Sequence, residues 1–391
     1  MTYKEIAAKR LKTLPPYLFA ELDRTKERIQ QQSKQKIIDL GEGNPDIMPD
    51  TEIIKEFAKA LRISENHRYP SYAGKISARI AVAKWYKKRF NVDLNPETEV
   101  AMLIGTKEGI AHLFWAMIDK GDIAYVPSPA YPIYNNQTKL AGGIVKIIPL
   151  LEKNNFLPDL NQIKPHRRLK LLCLNYPNNP TTAVAPFSFY KELIDKALKY
   201  NFYVFNDNVY SELYYNKPPH SILEVPNAKQ CAVEFHSLSK TFSMCGWRIG
   251  FVVGNKDIIA SLIKIKQNVD SGPFGAIQDT AVFALNNIEE YASKIRQTYE
   301  KRLSLLTSLL NKINWKCRMP DATFYLWLKI PLADFKNNSL AFSQYLLEKT
   351  GVLVAPGRSF GYYGEGYIRL AAIVNLNKIK QVAKLLGNII R

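Results

Sequence analysis

The sequence predicts an α/β protein: a large domain built on a mostly parallel sheet flanked by helices, plus a smaller α+β domain. Three observations predict it. Through the middle of the chain, strand-like and helix-like segments alternate, the layout of an open α/β sheet. Several strand-like segments carry no polar alternation, as strands do when helices cover both faces of a parallel sheet. The last hundred or so residues abandon this rhythm and mix a long helix with short strands.

In chain order, the strand-like runs are Ile123–Val126, Ile144–Ile148, Leu169–Leu174, Phe202–Phe205, Ala232–Phe235 and Arg248–Val253. Helical stretches lie between them, such as Pro186–Tyr200, with a proline at its first position, and Lys256–Val269. Ile110–Ile118 reads as a core helix, and Lys84-Lys87-Lys88-Arg89 sits on an amphipathic one. Further on, a helix around Asn287–Asn311 leads into strands at Phe324–Lys329, Val352–Val354 and Tyr367–Ala371. Helices near Ser339–Lys349 and Asn375–Leu386 accompany them, with Gly351 as a helix-ending glycine. The expected division is 1–44 as an N-terminal arm and part of the small domain, 45–286 as the large domain, and 287–391 as the small domain.

Composition limits the function classes. With 391 residues, 47% apolar and 23% charged, the chain is long enough for more than one core and ordinary for a globular protein. No window approaches the roughly 18 consecutive apolar residues of a membrane span. No apolar run follows the charges of residues 1–10, so no signal peptide and a cytoplasmic location are expected. The net charge of +19 raises the question of nucleic acid, but the basic residues are dispersed. A generally positive field that favours anionic substrates is the expectation, with no nucleic-acid or membrane partner. Cys173, Cys231, Cys245 and Cys317 form no C-x-x-C pair and are expected to be reduced and structural. The five histidines are isolated in sequence, and no metal site is expected.

Ligands of open α/β sheets bind beyond the carboxyl ends of the strands, so those ends carry the functional expectations. After Leu169–Leu174 comes Asn175-Tyr176-Pro177-Asn178-Asn179-Pro180-Thr181. Alone, it reads as a proline-bracketed turn. Asp207 and Tyr210 follow Phe202–Phe205, and Ser237, Ser239, Lys240 and Arg248 follow Ala232–Phe235. Together these ends offer an amide, a carboxylate with a phenol, and a lysine flanked by hydroxyls and an arginine. That set suits an aromatic, phosphorylated aldehyde.

Ser-x-Ser-Lys-x-Phe-x-x-x-Gly-x-Arg-x-Gly, from Ser237 to Gly250, resembles the cofactor-lysine signature of class I aminotransferases. Asn178-Asn179-Pro180-Thr181, the Asp207/Tyr210 pair, Gly43-Asn44-Pro45-Asp46 and Tyr367-Ile368-Arg369-Leu370-Ala371 resemble the same family at matching intervals, essentially end to end. The resemblance implies the aspartate aminotransferase fold, the fold type I of pyridoxal-phosphate-dependent transferases, with pyridoxal 5′-phosphate as cofactor. It also implies a homodimer with shared active sites, acting on small-molecule substrates, amino acids and 2-oxo acids. Thr182, where glycine usually follows Asn-Pro-Thr, and Met244-Cys245 depart from the pattern at loop positions.

Roles follow by the same resemblance. Lys240 forms the Schiff base and moves the proton, Asp207 holds the ring nitrogen protonated, and Tyr131 stacks on the ring. Asn179 and Tyr210 hydrogen-bond the phenolic oxygen. Thr106 and Lys107, at a helix start, hold the phosphate together with Ser237, Ser239 and Arg248. Tyr69, five residues before Gly74, reaches the phosphate of the other subunit, and Ser271 belongs to a segment that also crosses the interface. Arg369 grips the substrate α-carboxylate, assisted by Asn179 and Gly43. Tyr17, Tyr72 and Lys107 are the candidates for the far end of the substrate.

Two other signatures fail on context. Gly357-Arg358-Ser359-Phe360-Gly361 matches a hydrolase nucleophile elbow, but the following residues read as loop and no histidine lies downstream. Ser237-Leu238-Ser239-Lys240 with Lys349-Thr350-Gly351 matches part of a β-lactamase set, but no S-D-N lies between them. Within the aminotransferases, the opening Arg10–Asp23, which contains Leu14-Pro15-Pro16-Tyr17, resembles the bacterial LL-diaminopimelate branch, as do His67-Arg68-Tyr69-Pro70-Ser71-Tyr72, Glu234-Phe235-His236-Ser237-Leu238-Ser239-Lys240 and Asn268-Val269-Asp270-Ser271-Gly272. The glutamate–pyruvate (alanine) branch shares the Leu-Pro-Pro-Tyr opening and is the alternative.

Overall fold

The computed structural model describes residues 6–15, 24, 26–28, 31 and 36–390. Its strands, in chain order, are β1 (Ile38–Asp39), β2 (Val100–Leu103), β3 (Ile123–Ser128), β4 (Ile144–Pro149), β5 (Leu169–Leu174) and β6 (Tyr203–Asp207). They continue with β7 (Ala232–Ser237), β8 (Gly250–Gly254), β9 (Tyr325–Lys329), β10 (Val352–Leu353), β11 (Ala355–Pro356) and β12 (Tyr367–Ala371).

Seven strands form one sheet in the order β2-β8-β7-β6-β5-β3-β4. Only β8 runs against its neighbours, β7 and β2. The absence of polar alternation has its physical cause in the two cores. Along β3, Ile123 and Tyr125 pack into one apolar cluster while Ala124 and Val126 pack into another on the opposite face. Leu172 and Leu174 of β5 likewise face away from Leu171 and Cys173. Helices Ile76–Phe90 and Phe187–Tyr200 cover the first face, and Thr106–Met117 and Lys256–Val269 the second.

A three-stranded antiparallel sheet, β11-β12-β9, has its own core with Leu326, Leu328, Ile368 and Leu370 against Ile379, Val382 and Leu386. Ile38 and Leu40 join that core, and β1 pairs in parallel with β10. The helix Ile288–Lys312 spans both regions. Its Tyr291 and Ala292 belong to the large-sheet cluster, and its Leu303, Leu306 and Leu310 to the small-sheet core. A helix of that length reaches about 37 Å.

The structure corrects several expected boundaries. The strand expected at Arg248 begins at Gly250, because Arg248 is left-handed, with φ 56°. β6 runs on to Asp207, so this carboxylate sits on the strand end itself. The expected strand Val352–Val354 stops at Leu353, and a second short strand, Ala355–Pro356, follows in a different sheet. A separate helix, Gly275–Asn286, precedes the long one. Gly351 does end the helix Ser339–Thr350, at φ 71°. Among the described residues no helix is long and apolar enough to cross a membrane.

Candidate active site

β5, β6 and β7 are parallel neighbours, so their carboxyl ends bring Asn175, Asp207 and Ser237 to one edge of the sheet. The short helix Leu238–Thr241 then carries Ser239 and Lys240. They line a cavity of about 530 Å³, within the range of small-molecule sites. Of the residues expected at the site, Gly43, Thr106, Lys107, Tyr131, Asn179, Asp207, Tyr210, Ser237, Ser239, Lys240, Arg248 and Arg369 all line it.

Asp207 is buried, and its Oδ2 accepts a 2.7 Å hydrogen bond from the Tyr134 hydroxyl. Its Oδ1 is buried without a partner. Burial pushes its pKa up to about 7, against the opposing pull of the Tyr134 hydrogen bond and the Lys240 charge. Asn175 fixes the same strand end: its Nδ2 donates to the Asp207 carbonyl at 2.6 Å, and its Oδ1 accepts from the Asn179 N–H at 2.8 Å. Behind the site, Glu234 accepts from Tyr86 (2.5 Å), Asn206 (2.9 Å) and Asn208 (3.0 Å) and contacts His236. Burial alone would raise its pKa, but His236, Tyr86 and Asn208 bring it down to about 2. This network ties β6 to β7.

Lys240 Nζ donates a 2.6 Å hydrogen bond to the Gly43 carbonyl and lies 3.6 Å from Cys245 Sγ. Cys245 therefore lines the cavity, a correction to the purely structural role expected of the cysteines. All four cysteines are free.

Thr106 and Lys107 open a helix capped by Gly105, whose φ is 75°. A Cβ at Gly105 would collide with the Arg248 guanidinium, so glycine is what lets this arginine lie against the helix start. Among the described residues Arg248 has no acidic partner; its Nη1 donates to the Cys245 carbonyl at 2.8 Å. Free helix N–H groups, hydroxyls and this cation make an anion-binding corner.

Arg369, on β12, is only 4% exposed. It donates to Asn179 Oδ1 at 2.6 Å and to the Gly41 carbonyl at 2.7 Å, and its Nε has no partner. Its guanidinium lies 4.2 Å from the Tyr325 ring centroid and 4.8 Å from that of Phe360. A buried arginine with no carboxylate beside it among the described residues is a ready carboxylate receptor. Tyr210 and Tyr325 share a 2.8 Å hydrogen bond between their hydroxyls, and burial raises the Tyr210 pKa well above the usual phenol range.

Three expected residues do not line this chain's cavity. Tyr69 is 92% exposed and Tyr72 42% exposed, and Ser271 is half-buried elsewhere. They share one surface: a Cβ at Gly272 would lie 3.1 Å from the Ser71 carbonyl oxygen. Tyr17 falls outside the described residues. The sequence reading passed over Tyr134, three residues beyond Tyr131, and Asn175, Tyr325, Phe360 and Glu42, which also line the cavity. It also treated His112 as isolated. Glu108, His112 and Asp270 gather in space: Lys266 Nζ donates to Glu108 at 2.7 Å and to Asp270 at 2.8 Å, and His112 Nδ1 lies 2.6 Å from Glu108.

Residues 35–386 match the family described as aminotransferase class I and II. The chain is 50% identical over 384 residues to the LL-diaminopimelate aminotransferase of Aquifex aeolicus, covering 97% of this chain and 98% of that protein. Among solved structures it is similar to substrate-bound BacF from Bacillus subtilis, with TM-score 0.93, 35% identity, and coverage of 99% and 98%. It is also similar to a Thermus thermophilus aspartate aminotransferase single mutant, with TM-score 0.91, 25% identity, and coverage of 99% and 100%.

Proposed function

The chain belongs to the class I and II aminotransferase family, and from that premise we propose that it is a pyridoxal-phosphate-dependent enzyme of diaminopimelate and lysine biosynthesis. It moves an amino group between LL-diaminopimelate and 2-oxoglutarate, giving tetrahydrodipicolinate, water and glutamate, and runs in either direction. One observation carries the reading: the buried guanidinium of Arg369, with its Nε unpartnered and no carboxylate beside it among the described residues, shares a cavity with the Lys240 amine and the orphaned Oδ1 of Asp207. The near-full-length similarity to an LL-diaminopimelate aminotransferase supports the substrate.

The donor set fits the cofactor. Asp207 Oδ1 suits a protonated ring nitrogen, and the corner of Thr106, Lys107, Ser237, Ser239 and Arg248 suits a phosphate. Lys240 suits the aldehyde carbon, Tyr131 the ring face, and Asn179 with Tyr210 the phenolic oxygen. Bound there, pyridoxal phosphate supplies an aldehyde that condenses with amines and a ring that takes up the electron pair released at Cα. Arg369 and Asn179 hold the α-carboxylate and so fix which Cα bond faces Lys240. Lys240 Nζ would take the Cα proton as general base and carry it away from Cα as general acid. Asp207, buried and steadied by Tyr134, keeps the proton on the ring nitrogen.

We further propose a homodimer whose subunits share sites. Leu61, Ile63, Tyr69 and Tyr72 on one segment, and Val269 and Phe274 on the segment that carries Ser271, are exposed. The His67 ring packs against Phe274 at 5.8 Å, which joins the two segments. An apolar surface of this kind suits an isologous contact.

The test is glutamate formation by purified protein from LL-diaminopimelate and 2-oxoglutarate, with kcat/KM compared against L-alanine as donor. A preference for LL-diaminopimelate is expected. A preference for alanine would assign the chain to the glutamate–pyruvate branch.

A further inference from the structure

We propose that Glu42 recognises the second ammonium of the donor substrate and is the residue that selects a diamino dicarboxylate over a simple amino dicarboxylate. The inference rests on the substrate reading above.

Glu42 lines the cavity, and its side chain is exposed. Among the described residues its carboxylate has neither an ion pair nor a hydrogen bond. Its backbone position is fixed from both sides. The carbonyl before it, Gly41, accepts from Arg369 at 2.7 Å, and the carbonyl after it, Gly43, accepts from Lys240 at 2.6 Å. Asp39 Oδ1 accepts from the N–H groups of Gly41, at 2.9 Å, and Glu42, at 3.3 Å. A Cβ at Gly43 would collide with the Tyr325 hydroxyl, which holds that side of the loop close to the site. The loop whose carbonyls meet the arginine that suits an α-carboxylate and the lysine that suits Cα therefore carries one carboxylate, unpaired among the described residues, at the cavity wall.

Lys107 lines the same cavity, is exposed, and has no acidic partner among the described residues. The cavity thus offers two opposite charges beyond those used at Cα. LL-diaminopimelate carries at its far end one carboxylate and one ammonium. Glutamate and 2-oxoglutarate carry the carboxylate alone. Lys107 is the complement of the group all three share, and Glu42 of the group only the diamine has. A desolvated ammonium without a counter-charge is costly, so an acidic group is the economical way to admit it. Tyr72, considered for this task from the sequence, does not line the cavity.

The experiment is a single-turnover half-reaction of the cofactor-loaded enzyme with LL-diaminopimelate and, separately, with L-2-aminopimelate. The second compound has the same chain and both carboxylates but no second amino group. Wild-type enzyme is expected to favour LL-diaminopimelate, and Glu42→Gln to lower that ratio about tenfold to a hundredfold, the scale of one charge-assisted hydrogen bond. A ratio left unchanged by Glu42→Gln, in a wild type that does favour LL-diaminopimelate, overturns the inference and leaves the substrate reading standing. A wild type that favours L-2-aminopimelate overturns both. Because the readout is a ratio within one preparation, partial misfolding of the variant does not imitate the expected result.

Discussion

The Tyr134 hydroxyl donates a 2.7 Å hydrogen bond to Oδ2 of Asp207, leaving Oδ1 as the only oxygen of that buried carboxylate without a partner. The division of labour between the two oxygens has a physical consequence. Burial pushes the pKa of Asp207 up to about 7, and the Tyr134 hydrogen bond is the largest influence acting against it. Tyr134 is thus a positioning residue that keeps the carboxylate charged and aims its free oxygen.

Tyr134→Phe is expected to weaken cofactor binding about tenfold and to move the acidic limb of the kcat/KM–pH profile up by about one pH unit, the scale of one hydrogen bond to a charged group. Fluorescence titration with cofactor and a pH–rate profile measure both. A profile that stays in place while binding weakens would reduce Tyr134 to a packing role.

The same carboxylate makes the cofactor-free protein sensitive to pH. Its folded pKa of about 7 lies above the ordinary 3.8, so folding takes up a proton between those values. Relative to the uncharged form, stability is fully present below the ordinary value and is lost as pH rises through the folded one, by on the order of 4 kcal/mol at most. Asp207→Asn is therefore expected to raise the melting temperature of cofactor-free protein at pH 8, with the gap to wild type narrowing toward pH 5. The same variant should bind cofactor poorly. Equal melting temperatures at pH 8 would show that Asp207 is not desolvated as described.

Much of this site was legible because its residues sit where the chain must place them. Lys240, Asp207 and Asn179 follow apolar strand-like runs, and the parallel sheet brings such ends together. Arg369 was legible only by resemblance, since nothing in a short strand of a different sheet announces that it faces Asn179. Tyr134, Tyr325 and Glu42 were passed over for a related reason: Tyr134 meets Asp207, Tyr325 meets Tyr210, and Glu42 is brought to the site by Arg369 and Lys240 holding the carbonyls on either side of it, and spacing in sequence says little about such long-range contacts. Boundary errors had local causes, as at Arg248, where a left-handed residue stops the strand short.

Arg369→Lys is expected to lower kcat/KM about a hundredfold or more for every amino donor alike, because a lysine cannot hold Asn179, Gly41 and a carboxylate at once. Parallel assays with LL-diaminopimelate and glutamate measure it. A loss confined to one donor would move Arg369 from the shared α-carboxylate to the substrate's far end.

Sharing of sites between subunits predicts recovery on mixing. Tyr69 is 92% exposed on its own chain and does not line that chain's cavity, whereas Lys240 does. If Tyr69 serves the partner's phosphate corner, Lys240→Ala leaves a chain with an intact tyrosine and a dead cavity. Tyr69→Phe leaves an intact cavity and an impaired tyrosine. In a mixed dimer, one site then receives both intact residues and the other receives neither. With random exchange of equal amounts, about a quarter of all sites are fully intact in a twofold-symmetric dimer. Assayed at limiting cofactor, where Tyr69→Phe alone binds weakly, the mixture should show about that fraction of wild-type activity, above the sum of the two variants assayed alone. Absence of recovery after demonstrated subunit exchange would mean that each chain completes its own site, and that the exposed surface around Tyr69 serves a different purpose.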